Sequence, residues 1–153
     1  MIVRKGITSF FAHRDIPEFR FDFFHMIVTS FSKPMGFEVV EMTERGVTPN
    51  FHLATLTRQK ARQDETISIL GHASFPIIAF AEPLVPGEIR FRDAFAIASR
   101  INVLFPEVTI ATCEEFSRKI EKSDLEQLDR IEREQIKYWK PQTIGELAFN
   151  WWD

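Results

Sequence analysis

Sixteen of the 153 residues are phenylalanine and only one is tyrosine, a bias that constrains the fold more tightly than any other feature of the chain. A phenyl ring has no polar tip with which to sit half in water, so most of these rings belong in a core. Eight of the sixteen fall within the first 37 residues, while leucine, the usual core filler, occurs only eight times. The N-terminal third is therefore expected to pack inside; the alternative is an apolar groove for a ligand or partner.

The remaining composition narrows the class. With 44% hydrophobic and 27% charged residues, the chain reads as one globular domain spanning 1–153. Nineteen bases against 22 acids leave a net charge of −3, which argues against a strongly basic nucleic-acid binder. A single cysteine excludes an intrachain disulfide framework and a multi-cysteine zinc ribbon. No apolar run reaches the roughly 18 residues of a membrane span, and the N-terminus lacks a secretory layout. A cytoplasmic protein with no membrane partner is the expectation.

Periodicity divides the chain into halves. Residues 2–11 read as extended, with a break at Gly6. A helix is predicted from Asp15, with Pro17 in its first turn, to about Phe31, placing Phe23, Phe24, Ile27, Val28 and Phe31 on one arc. Four strand-like runs follow at Phe37–Glu44, Phe51–Arg58, Thr66–Leu70 and Pro76–Ala81. Short gaps between them favour antiparallel neighbours, and the last run, apolar on both faces, belongs at the centre of a sheet. Pro83 and Pro86 end the meander. The second half turns helical, with Phe91, Ala94, Phe95, Ala98, Ile101 and Phe105 on one face, then a short β-branched run at Val108–Ala111. Three S/T-x-x-E signals (Thr112 with Glu115, Ser123 with Glu126, Thr143 with Glu146) predict helix starts near 113, 124 and 144. The fold class is α+β: an antiparallel sheet of four to six strands with helices packed on one face.

Few residues carry recognisable chemistry. His13, His25, His52 and His72 lack the spacing of a zinc helix or strand. No phosphate loop, nucleophile elbow or dinucleotide fingerprint is present, so no cofactor is called for and no catalytic residue is named. Cys113 opens a predicted helix, where the dipole would lower its pKa. Arg58, Lys60 and Arg62 form the densest basic patch, on a predicted hairpin loop. In a helix drawn from Asp124 to Trp139, Glu132 and Gln135 fall inside the apolar arc of Leu125, Leu128, Ile131, Ile136 and Trp139. A carboxylate facing a core needs a cation or several donors, and Arg20, among the apolar residues of the first helix, is the named candidate. Arg20, Glu132 and Gln135 are therefore a possible buried polar group or small-ligand pocket. Residues 113–134 hold eight acids and five bases, making Glu114, Glu115, Glu126 and Asp129 candidates for docking a basic partner.

The C-terminal stretch Trp139-Lys-Pro141-Gln-Thr143-Ile-Gly145-Glu146-Leu-Ala-Phe149-Asn150-Trp151-Trp152-Asp153 is the most unusual. Adjacent tryptophans here must be packed to be tolerated. This tail resembles small bacterial proteins that end in W-x-P-x-T-[IV]-G-E-x-x-F-N-x-W-D, some of which look like immunity proteins of polymorphic or contact-dependent toxin systems. The resemblance is strongest over about 15 residues. It implies a protein that binds a cognate toxin domain of basic charge and neutralises it by occlusion, with no catalytic residues of its own.

Overall fold

The computed structural model describes residue 1, residues 3–10 and residues 17–153. Among these lie strands β1 (Glu38–Thr43), β2 (Phe51–Arg58), β3 (Glu65–His72), β4 (Ile77–Ala81) and β5 (Thr109–Ile110). The helices are α1 (Phe21–Ser32), α2 (Phe95–Leu104), α3 (Cys113–Ser117), α4 (Lys122–Glu126), α5 (Arg130–Trp139) and α6 (Ile144–Ala148). β1 to β4 form an antiparallel meander in chain order, and β5 adds to β4 in parallel. The α+β class and the antiparallel sheet are as the sequence predicts.

The sheet has a core on each face. Pleating sends Ile78 and Phe80 of β4 one way and Ile77, Ala79 and Ala81 the other. The first core joins Ala54, Leu56, Ile67 and Ile69 to Phe24, Ile27, Val28 and Phe31 of α1 and Ile97 and Ile101 of α2. The second joins Phe51, Leu70 and the odd positions of β4 to Val3, Ile7, Phe116, Leu128, Ile144, Leu147, Phe149 and Trp152. Helices thus cover both faces rather than one, because β3 and β4 are apolar on both sides and each side needs a cover. Each buried phenylalanine contributes about 1.5–3 kcal/mol of transfer free energy, so the aromatic bias supplies both cores.

Several elements depart from expectation for identifiable reasons. Residues 3–10 form turns, with positive φ at Gly6 (94°) and Ser9 (69°), rather than a strand. Their polar backbone groups bond to side chains from distant elements, as described below. The expected cap Asp15 lies outside the described residues, as does His13; residues 17–20 are not helical, and α1 begins at Phe21. In α2 the buried stripe is Ile97 and Ile101, flanked by Ala94, Ala98 and Phe105, while Phe95 is 72% exposed and Phe91 lies outside the helix. The long helix drawn from 124 breaks at 127–129. Asp124 accepts from the Glu121 N–H and from both ends of the Arg118 guanidinium at 2.9 Å, so the cap of α4 is Glu121 and not Ser123. Asp129 then opens α5 with a capping box of its own.

Candidate functional site

Glu132 is 0% exposed, as its helix phase requires, but its partners are donors and not a cation. The carboxylate accepts from the Gly6 N–H (2.8 Å), the Thr8 N–H (3.1 Å), the Thr8 hydroxyl (2.5 Å) and the Asp129 N–H (3.2 Å). A turn bearing two convergent N–H groups and a hydroxyl meets the charge without a guanidinium. Arg20 is not the partner. It precedes α1, is exposed, and pairs with Asp22 at 2.8 Å. Gln135 accepts from the Trp139 indole N–H at 3.0 Å and so orients that ring. The three residues do not converge on a pocket; each serves a different local task.

Two histidines tie the N-terminal segment and the entry to α1 onto the sheet. His72 Nε2 donates to the Ile7 carbonyl at 2.7 Å, and its Nδ1 accepts from the Ser74 and Phe75 N–H groups. Burial holds the His72 pKa down at about 4, against the opposing pull of the Ile7 carbonyl. His52 Nε2 donates to the Phe19 carbonyl at 2.6 Å, its Nδ1 accepts from the Arg45 N–H, and burial lowers its pKa too. Both are neutral structural groups. Among the described residues no cluster of three His, Cys, Asp or Glu side chains could hold a metal ion.

The tail is fixed by a pair of asparagines. Asn50 N–H donates to the Asn150 carbonyl at 3.0 Å, and Asn150 N–H donates to Asn50 Oδ1 at 2.8 Å. The Asn50 amide also reaches the Ala148 carbonyl, and the Asn150 amide reaches the Thr8 and Leu147 carbonyls. With its backbone pinned at 150, the chain turns Trp152 inward. Its ring lies parallel to Trp139 with centroids 6.2 Å apart. Trp151, half-buried against the same core, meets Phe51 edge to face at 5.4 Å.

Trp151 borders two clefts. One, of about 310 Å³, lies between the Gly87–Phe91 loop and the tail and includes Glu88, Phe91, Trp139, Lys140, Glu146 and Trp152. The other, of about 430 Å³, lies over the β1–β2 face beneath the Pro83–Pro86 loop and includes Glu41, Glu44, Phe51, Leu53 and Leu84. Carboxylates thus stand in both clefts, Glu41 and Glu44 in one and Glu88 and Glu146 in the other, with Lys140 as the base among the lining residues. An apolar aromatic floor edged by negative charge suits a positively charged group with an apolar stem.

The predicted docking acids lie elsewhere. Glu114 is exposed in the first turn of α3, and Glu126 is exposed at the end of α4. Glu115 closes the Thr112 capping box and holds the Met1 ammonium at 2.5 Å. Asp129 caps α5 through the Ile131 N–H and pairs with Lys5 at 3.5 Å. None of the four lines either cleft. Cys113 also differs from expectation. Burial and the neighbouring Asp93 carboxylate push its thiol pKa up rather than down. In the Arg58–Lys60 patch, burial of Glu65 is outweighed by bonds from Lys60 and Arg58, which hold its carboxyl at about 2, and Arg92 adds a third cation.

Of the cleft residues, the sequence marked Trp151 as unusual and Glu146 as a capping acid, but not Glu41, Glu44 or Glu88. Glu41 follows a register irregularity between Val39 and Glu41 in β1, and Glu44 and Glu88 lie outside the strands, so no periodicity singles them out. Comparison of the chain with family models, with curated proteins and with solved structures finds no match. No helix among the described residues is long and apolar enough to cross a membrane.

Proposed function

We propose that this chain is an immunity-type protein, acting in the cytoplasm, that binds a cognate bacterial toxin domain through the Trp151 clefts and neutralises it by occlusion. The observation supporting this reading is the arrangement at Trp151: one half-buried indole between two clefts edged by Glu41, Glu44, Glu88 and Glu146. Central tryptophans with a polar rim are what concentrate binding energy in protein interfaces. Negative charge around the ring steers a basic surface toward it, and toxins that cleave nucleic acid present such surfaces. The segment that builds the site is also the tail that resembles immunity proteins. Its work is binding, with no turnover.

Co-expression tests the reading. A toxin domain encoded beside this chain is expected to kill cells that lack it and spare cells that make it. The purified pair should form a stable complex whose association slows as salt rises. The absence of both protection and complex formation with an adjacent toxin would overturn the proposal.

A further inference from the structure

We infer that the cleft over the β1–β2 face takes a single arginine side chain of the protein partner, its guanidinium against Glu41 and Glu44 and its stem along the apolar wall. The inference rests on the reading above, that a basic protein docks here, and names the group it inserts. The two clefts differ in how their charge is met. In the one beside the Gly87–Phe91 loop, Lys140 is among the lining residues and Glu88 already pairs with Arg90 at 3.1 Å. The β1–β2 cleft, of about 430 Å³, is lined by Glu41 and Glu44 and by no lysine, arginine or histidine. Two carboxylates beside Leu53, Leu84 and Trp151, with no base in the lining, favour a cation that carries an apolar stem. The hydrogen bonds around Glu41 favour guanidinium over ammonium. The Thr43 hydroxyl donates to one oxygen of Glu41 at 3.2 Å and the Thr55 hydroxyl to the other at 3.3 Å. The two strands thus hold the carboxylate, and each oxygen keeps a lone pair for a further donor. A forked, planar guanidinium engages both oxygens at once, whereas a lysine ammonium is a compact, strongly hydrated point charge. A second feature, independent of the acids, adds to this. Ser68 lies opposite Thr55 in the β2–β3 register, and directly opposed side chains share one side of the sheet. Ser68 is 0% exposed, and its hydroxyl has no hydrogen-bond partner among the described residues. Buried hydroxyls are nearly always matched. The Thr55 side of the cleft therefore retains a polar group that a ligand with several N–H donors can satisfy.

The test follows the backbone amides and the Trp151 indole N–H by nuclear magnetic resonance during titration with blocked serine peptides that each carry one different central residue. That residue is arginine, lysine, or citrulline, which keeps the shape of arginine without its charge. The arginine peptide is expected to give saturable shifts at Glu41, Thr43, Thr55 and the Trp151 indole. Its Kd should be several-fold lower than that of the lysine peptide, and the citrulline peptide should not saturate. Glu41→Gln should raise the arginine Kd several-fold and bring it level with the lysine value. Glu126→Gln, which removes the same charge at the exposed end of α4, should leave it unchanged. Should Glu41→Gln disturb the fold, the comparison of peptides on the parent protein decides alone. Equal affinity for arginine and lysine, saturable binding of citrulline, no saturable binding of arginine, shifts confined to residues outside the cleft, or an unchanged Kd in a folded Glu41→Gln overturns the inference. Protection against a toxin without an arginine preference at the cleft would remove this inference and leave the immunity reading intact. Arginine-selective binding at the cleft without protection would do the reverse.

Discussion

At the scale of single residues, the informative groups are charges and imidazoles that the core had to accommodate. Removing the Glu132 carboxylate leaves the Gly6 and Thr8 N–H groups and the Thr8 hydroxyl facing a void. Each orphaned donor costs about 1–3 kcal/mol. Glu132→Ala should therefore lose about 3–5 kcal/mol in urea denaturation, while Glu126→Ala, on the exposed end of α4, should stay within about 0.5 kcal/mol of the parent. Similar small losses at both positions would refute the assigned role of Glu132. His72 supplies a pH dependence whose sign follows from its burial. Its pKa is about 4 in the folded chain against an ordinary 6.5, so the unfolded chain takes up the proton first as pH falls. Its contribution is complete above pH 6.5 and is lost progressively between 6.5 and 4, by an amount on the order of 3 kcal/mol. Denaturation midpoints taken at pH 7.5, 6, 5 and 4 in the parent and a His72→Gln variant should converge at the acid end. The burial of Glu132 was legible because helical phase is a local property. Its partners at Gly6 and Thr8 were not, because they lie more than 120 residues away in a turn that no periodicity announces.

At the scale of elements, strands were more legible than helices. β2 runs over Phe51–Arg58 as its alternation and the preceding Pro49 predict, and β4 is buried along its whole length as an apolar run should be. The short helices of the second half depend on capping carboxylates, and competing acids two residues apart decide which one caps. Asp124 displaced Glu126 from that role because Arg118 was there to hold it. α6 shows how packing overrides helical propensity. A methyl group on Gly145 would meet the Phe91 ring at 2.5 Å and Phe116 at 3.1 Å. In an open helix a Gly-to-Ala change gains about 0.5–1 kcal/mol. Here Gly145→Ala should instead cost about 1–3 kcal/mol through displaced rings. A thermal melt at or above the parent midpoint would show that the two phenylalanines can move aside.

At the scale of the whole molecule, β2, β3 and β4 contribute to both cores, so neither face should unfold alone. All three tryptophans sit in or against the second core, and none belongs to the first. Tryptophan fluorescence therefore reports one face, while far-ultraviolet dichroism reports the whole chain. The two denaturation curves should coincide, as a single cooperative transition requires. A fluorescence midpoint at lower denaturant would reveal a tail face that opens independently. The α+β class could be read from a run of strand patterns followed by a run of helical ones. The sharing of one sheet between two cores could not, because it depends on which distant segments return to cover each face. Those returns have a kinetic meaning. The β1–β4 meander closes over short loops, whereas the bonds from Glu132 to Gly6 and Thr8, and from Asn150 to Thr8 and Asn50, span 100 to 142 residues. Such contacts have the largest loop entropy to overcome and form late. Glu132→Ala should accordingly steepen the loss of the native state in stopped-flow unfolding while leaving the refolding rate nearly unchanged. The clasp between the chain's two ends then governs how long the folded protein lasts once made, more than how quickly it forms.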